Sequence, residues 1–157
     1  MGSLLPGIRN AVRAFIVRDE KVLLLRKDGY PTGGERYALP GGAQEHGETL
    51  EQALQRECLE EIGTEVRILD LLHLADWFKQ RETDPPSRRQ LLECLFVCEV
   101  PDGYTPRNGH RPDKHQVEVV WVALDELHQI TLLPASMRER LTTYPKPGAV
   151  VYLGRVD

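Results

Sequence analysis

Three observations in the sequence predict an α/β fold, a central sheet covered by helices. Lys21–Lys27 carries apolar residues at consecutive positions, Val22 to Leu25, so a strand there must be buried on both faces. Residues 91–100 alternate: Leu92, Cys94, Phe96 and Cys98 fall on one face, and Leu91, Glu93, Leu95, Val97 and Glu99 on the other. Between these strands, residues 49–63 carry helix signals at both ends. Thr49 and Gln52 form a T-x-x-Q capping box that satisfies two orphan backbone donors, helix formers follow from Leu50, and Gly63 stands just past the last turn.

The other elements follow in chain order. Residues 9–18 alternate with Val12, Ala14 and Ile16 on one side and read as a strand, which Asp19-Glu20 turns back into the second strand. A Gly/Pro/Tyr loop, 28–36, leads through Tyr37-Ala38 into the tight turn Leu39-Pro40-Gly41-Gly42. After the helix, 65–74 reads as a bent strand; Trp77 and Phe78 follow, then a polar tract over 79–90 with Pro85-Pro86 and Arg88-Arg89. Residues 101–116 form a long loop, and loops of that length usually have a function. Residues 117–122 predict a strand, Leu124 opens a short helix, 136–141 a second one, and 149–153 a terminal strand. With no repeat or linker, 157 residues fit one domain over 1–157.

The helix is anomalous on one face. At about 100° per residue, Leu50, Ala53, Leu54, Cys58 and Ile62 form an apolar arc, and Glu57 and Glu61 fall inside it with Glu60 at its edge. An ionised carboxylate on a buried stripe is costly unless it is paired or binds a metal. Arg56 offsets part of the repulsion through its i,i+4 relation to Glu60, and a divalent cation would remove the rest. Carboxylate oxygens suit Mg²⁺ or Mn²⁺ better than softer metals. The bland alternative is a solvated acidic face. Gly41 and Gly42, which let backbone approach a ligand, and Glu48 at the helix mouth favour a metal-and-phosphate site.

Composition narrows the rest. With 41% hydrophobic and 28% charged residues, this is the make-up of a globular protein. The formal net charge of -4 argues against a stable nucleic-acid or membrane-surface binder. The first ten residues lack an apolar core behind a basic start, and no apolar run is long enough to span a membrane. Cys58, Cys94 and Cys98 form no C-x-x-C pair and fit a reducing compartment, so a cytoplasmic location is expected. Cys94 and Cys98 stand ~13 Å apart along a strand, too far to chelate one metal, and read as small core residues.

Gly42, Glu48, Arg56-Glu57, Cys58, Glu60-Glu61, Gly63 and Thr64 together resemble the Nudix box, with Gly, five residues, Glu, seven residues, then Arg-Glu, apolar, any, Glu-Glu, any, Gly, apolar. Every charged and glycine position matches. Cys58 and Thr64 depart from the larger aliphatic residues of the pattern, both at packing positions. The resemblance implies an α/β/α sandwich with a mixed β-sheet, and Mg²⁺- or Mn²⁺-dependent hydrolysis of a diphosphate linkage in a nucleoside diphosphate joined to another group. Nucleoside triphosphates, ADP-ribose, nucleotide sugars and dinucleoside polyphosphates are all substrates of that kind.

By matching positions, the resemblance assigns Glu60, Glu61 and the Gly41 carbonyl to the metal. It makes Glu57 a further ligand or the group that orients and deprotonates water, and gives Arg56 the task of fixing the carboxylates. Glu48 either binds a second metal or faces the helix dipole. A further acid often completes such sites, with Glu118 as first candidate and Glu93 as second. Gly41, Gly42 and Tyr37 are the candidates for substrate contact, Tyr37 by stacking. Trp77, Phe78, Arg81, Arg88 and Arg89 are weaker ones, and His46 and His115 are loop histidines that invite a base role. A small-molecule nucleotide is the expected partner, and a homodimer is plausible on resemblance alone. Removal of pyrophosphate from an RNA 5′ end and non-catalytic nucleotide sensing are the alternatives.

Overall fold

The structure is a computed structural model that describes residues 2–142 and 151–157. Its elements run β1 (Ser3–Arg18), β2 (Lys21–Lys27), β3 (Arg36–Ala38), β4 (Gly41–Ala43), α1 (Leu50–Ile62), β5 (Arg67–Arg81), β6 (Ser87–Glu99), β7 (Gln116–Ala123), a 3₁₀ helix (Leu124–Gln129), α2 (Met137–Thr142) and β8 (Val151–Val156). The strands form one mixed sheet in the order β3-β2-β1-β6-β5-β8, with β4 added on β1 and β7 on β2. β1 runs parallel to β6 and β5 parallel to β8; the other pairings are antiparallel.

Side-chain alternation builds the layers. Val12, Ala14 and Ile16 of β1, Leu23 and Leu25 of β2, and Cys94, Phe96 and Cys98 of β6 face α1, where they pack on Ala53, Leu54, Cys58 and Ile62. The intervening residues Phe15, Val22, Leu24 and Leu95 face the other way, against Leu127 of the 3₁₀ helix and Met137 and Leu141 of α2. The predicted α/β sandwich with a mixed sheet is therefore what forms. The three cysteines are buried and unpaired, as core residues should be. Among the described residues, no helix is long and apolar enough to cross a membrane.

Several boundaries differ from those the sequence predicts. β1 starts at Ser3 and not Arg9, and most of the polar tract is strand: β5 runs to Arg81 and β6 starts at Ser87. These ends form an extended ribbon, with Ser3 paired to Ser87 and Arg81 to Ser87. Many of its side chains reach solvent, so no apolar alternation marks it, and the backbone ladder alone imposes the strand. Arg88 and Arg89 donate to the Gly2 and Pro6 carbonyls, and so tie β1 to the ribbon. In the predicted terminal strand, Ala149 and Val150 lie outside the described residues.

Candidate metal and phosphate site

The site is built on α1, and its start is held as the sequence predicts. Thr49 Oγ1 accepts from the Gln52 amide at 3.1 Å while the Gln52 side chain accepts from the Thr49 amide at 2.9 Å. The other end is held by the long loop. The Gly109 amide and the Gln116 side chain donate to the Glu61 carbonyl at 3.0 and 2.8 Å, the Arg111 amide to the Glu60 carbonyl at 2.9 Å, and the Tyr104 hydroxyl to the Ile62 carbonyl at 2.7 Å. The loop thus satisfies carbonyls left free at the end of the helix and fixes the turn that carries Glu60 and Glu61. Tyr104→Phe should therefore lower stability by about 1–3 kcal/mol, measured by denaturant unfolding, since a buried acceptor is left unmet.

The box residues come together. Glu61 is 4% exposed and accepts from the Gly41 amide at 2.8 Å. Burial, helped by the charges of Glu57 and Asp113, pushes its carboxyl up to about 8. Burial also raises Glu57, against the pull of Arg56. Arg56 lies among the acids. It binds Glu48 through Nε at 2.7 Å and Nη2 at 3.0 Å, and its Nη1 reaches Glu57 at 3.0 Å and Glu60 at 3.4 Å. The fork pairing with Glu48 locks the guanidinium, and its Nη2 also donates to the Ala43 carbonyl at 3.0 Å. These contacts give Glu48 the task of orienting Arg56.

The glycines are required by space. Gly41 has φ +142°, and a Cβ there would lie 1.9 Å from the Val12 carbonyl oxygen. A Cβ on Gly42 would lie 2.6 Å from Glu57 Oε1. Glu57 is thus stacked on the Gly42 backbone.

Among the described residues, no three acidic, imidazole or thiol side chains converge as a ready-made metal cage. Glu57 and Glu60 turn to Arg56, and Glu61 to the Gly41 amide. The donor set nevertheless fits a hard divalent cation. Mg²⁺ keeps several of its waters and needs only one or two carboxylates, and Glu61 is a buried carboxyl beside other acids that forms no ion pair among the described residues.

A second group adjoins this one. Arg13 of β1 pairs with Glu93 of β6 at 3.1 Å and donates to the Gly41 carbonyl at 3.2 Å. Lys27 pairs with Asp113 of the long loop. The charge of Asp113 reaches Glu61 and Arg13, while Lys27 and Lys79 help hold Asp113 below the usual range. Sequence reasoning does not single out Asp113; the length of its loop is the only signal that points there.

The remaining candidates lie elsewhere. Glu118 stands opposite Arg26 in the β2–β7 ladder and pairs with it at 3.0 Å, with its side chain about half exposed (51%). Arg26 also binds Glu35, which accepts from the Tyr37 hydroxyl at 3.3 Å, so Glu118 and Tyr37 belong to one network separate from that of Arg56. His115 stacks on Tyr30, and its Nδ1 lies 3.1 Å from the Asp28 carbonyl, while His46 is exposed. Trp77 is buried with Leu91 and Val156, and Phe78 lies under Arg155.

A model of the NUDIX domain family matches residues 7–144. The chain is 36% identical over 93 residues to an ADP-ribose pyrophosphatase of Methanocaldococcus jannaschii, a match covering 59% of this chain and 52% of that protein. It is 29% identical over 126 residues to a CTP pyrophosphohydrolase of Escherichia coli, covering 80% of this chain and 84% of the relative. The chain thus spans about half the length of the first of these and most of the second. Among solved structures, a hydrolase of the same domain family from Nitrosomonas europaea superposes with a TM-score of 0.66 at 24% identity, over 84% of this chain and 85% of that one, a likeness of fold.

Proposed function

The chain belongs to the NUDIX family, and on that premise we propose that it hydrolyses a diphosphate linkage in a nucleoside diphosphate joined to another group. The observation that carries this reading is Glu61, a buried carboxyl with a raised pKa held against the Gly41 amide beside Glu57. A structural role alone gives no reason to collect negative charge there.

Members of this family generally use divalent metal ions; the ion proposed here is Mg²⁺ or Mn²⁺, with Glu57, Glu60, Glu61 and the Gly41 carbonyl as its ligands. When bound, it supplies positive charge that neutralises phosphoryl oxygens. The chain's own residues supply orientation and proton transfer. As the alternative to ligating the metal, Glu57, whose carboxyl burial holds above the ordinary glutamate value, is the group that would orient water and accept its proton. Arg56, gripped by Glu48, fixes Glu57 and Glu60 and faces developing negative charge. Gly41, Gly42 and Tyr37 are proposed to line the substrate path. For the completing acid, Asp113, although paired with Lys27, fits better than Glu118, because its charge reaches Glu61 whereas Glu118 lies in the separate Arg26 network.

Residues 1–157 are proposed to act as one domain, in the cytoplasm as the unpaired cysteines suggest, on a small-molecule nucleotide. A homodimer remains a proposal that sedimentation would test.

The test is release of phosphate-containing products, each identified, from a panel of nucleoside triphosphates, ADP-ribose, nucleotide sugars, dinucleoside polyphosphates and 5′-triphosphorylated RNA, with and without Mg²⁺. Metal-dependent turnover of a small nucleotide is expected. Turnover of the RNA alone would move the assignment to RNA 5′ ends, and binding without turnover would leave a sensor.

A further inference from the structure

Two arginines flank the residues assigned to the metal, and they differ in the N–H groups they have left to give. A guanidinium carries five N–H donors and accepts nothing. In Arg56 all five are engaged: Nε and Nη2 by Glu48, Nη2 again by the Ala43 carbonyl, and Nη1 by Glu57 and Glu60. Arg56 can therefore act on a substrate through its charge, but it has no free hydrogen bond to offer. Arg13 is engaged through only three. Its Nε and Nη2 donate to the two carboxylate oxygens of Glu93 at 3.1 and 3.5 Å, and its Nη1 donates to the Gly41 carbonyl at 3.2 Å. One N–H on Nη1 and one on Nη2 have no acceptor among the described residues. These two nitrogens form the end of the guanidinium, a fork that matches a phosphate through two bonds.

The fold fixes where that fork stands. Arg13 lies opposite Gly41 where β1 pairs with β4, and Glu93 lies opposite Ala11 where β6 pairs with β1. The Arg13 and Glu93 side chains are 17% and 4% exposed, so the guanidinium is held from behind by a buried carboxylate. Gly41 is gripped at both of its polar groups, its amide donating to Glu61 and its carbonyl accepting from Arg13. Whatever is bound beside that carbonyl lies next to Arg13. Because Glu93 balances the charge of Arg13, the fork contributes directed hydrogen bonds, and these are strongest to an ionised acceptor.

Resting on the reading of the chain as a diphosphate hydrolase, we infer that Arg13 is a substrate-binding residue that holds a phosphoryl group of the diphosphate through Nη1 and Nη2, with Glu93 as the residue that positions it.

Calorimetric titration of inorganic pyrophosphate in Mg²⁺, and of Mn²⁺ alone, into the wild-type chain, Arg13→Lys and the double variant Arg13→Met/Glu93→Gln tests this without relying on turnover. The double variant leaves no buried charge unpaired, so it should stay folded. It should weaken pyrophosphate at least about tenfold, as for loss of a bidentate charge-assisted contact. Its net charge is that of the wild type, so Mn²⁺ affinity should stay within about threefold. Arg13→Lys keeps an ion pair with Glu93 but loses the fork, and should weaken pyrophosphate by about threefold or more. Three results would overturn the assignment: a wild-type chain that binds no pyrophosphate, variants that bind it as tightly as the wild type, or Mn²⁺ weakened as much as pyrophosphate, which would leave Arg13 only propping the Gly41 carbonyl. Failure of the hydrolase reading is a different result: no nucleotide of the panel would be turned over by the wild-type chain, whatever the variants do to pyrophosphate.

Discussion

Replacing Glu61 with Gln should cut turnover by about 100-fold or more while the protein stays folded, with Glu57→Gln giving a loss of similar size. The side-chain carbonyl of the substituted glutamine can still accept from the Gly41 amide, so the helix keeps its register against β4. What is lost is charge. The same substitution relieves a buried carboxyl repelled by Glu57 and Asp113. Its stability effect in chelator should therefore be neutral or positive.

The sign with pH is fixed by the direction of the shift. Glu61 titrates near 8 in the folded chain against 4.5 for an ordinary glutamate, so folding favours its protonated form. Its contribution to stability is fully present below about 4.5 and is lost as pH rises toward 8, on the order of a few kcal/mol. Melting in chelator at pH 5 and pH 8.5 checks this: the advantage of Glu61→Gln over wild type should grow at the higher pH. A wild-type chain that unfolds identically to the variant across that range would mean the carboxyl is not held as described.

Gly41→Ala should do the opposite, removing the fold with the activity. Its φ of +142° and the 1.9 Å approach of an added Cβ to the Val12 carbonyl leave no room where β4 pairs with β1. Roughly 3 kcal/mol or more of stability should be lost, read by denaturant unfolding. Gly42→Ala is the informative contrast. There the added atom meets the end of the Glu57 side chain, which can swing away, so the fold should survive with smaller loss while Glu57 leaves its place and turnover falls. If both variants were equally stable and equally active, the packing of this turn on α1 would not be what positions the acids.

The helix and its acids were legible because their signals are local. Thr49, Gln52 and Gly63 mark its ends, and the placement of Glu57 and Glu61 on the apolar arc anticipates the burial of Glu61 beside Cys58 and Ile62. Strands whose two faces are buried were legible for the same reason, from Val22 to Leu25 and from Cys94 to Cys98. The polar ribbon was not, because its pairing joins Leu4 to Arg88 across most of the chain and its faces reach solvent. Nor was Asp113, whose pairing with Lys27 forms only when its long loop meets β2 in the fold, and the register that sets Glu118 opposite Arg26 is likewise a property of the β2–β7 ladder.

Calorimetric titration of Mn²⁺ into the wild-type chain and into Glu61→Gln at pH 7.5 tests most directly whether α1 collects its acids around a cation. The account predicts saturable binding to the wild type and affinity weakened at least about tenfold in the variant, as for loss of one charged ligand. A wild-type chain that binds no Mn²⁺, or a variant that binds it equally well, would contradict it.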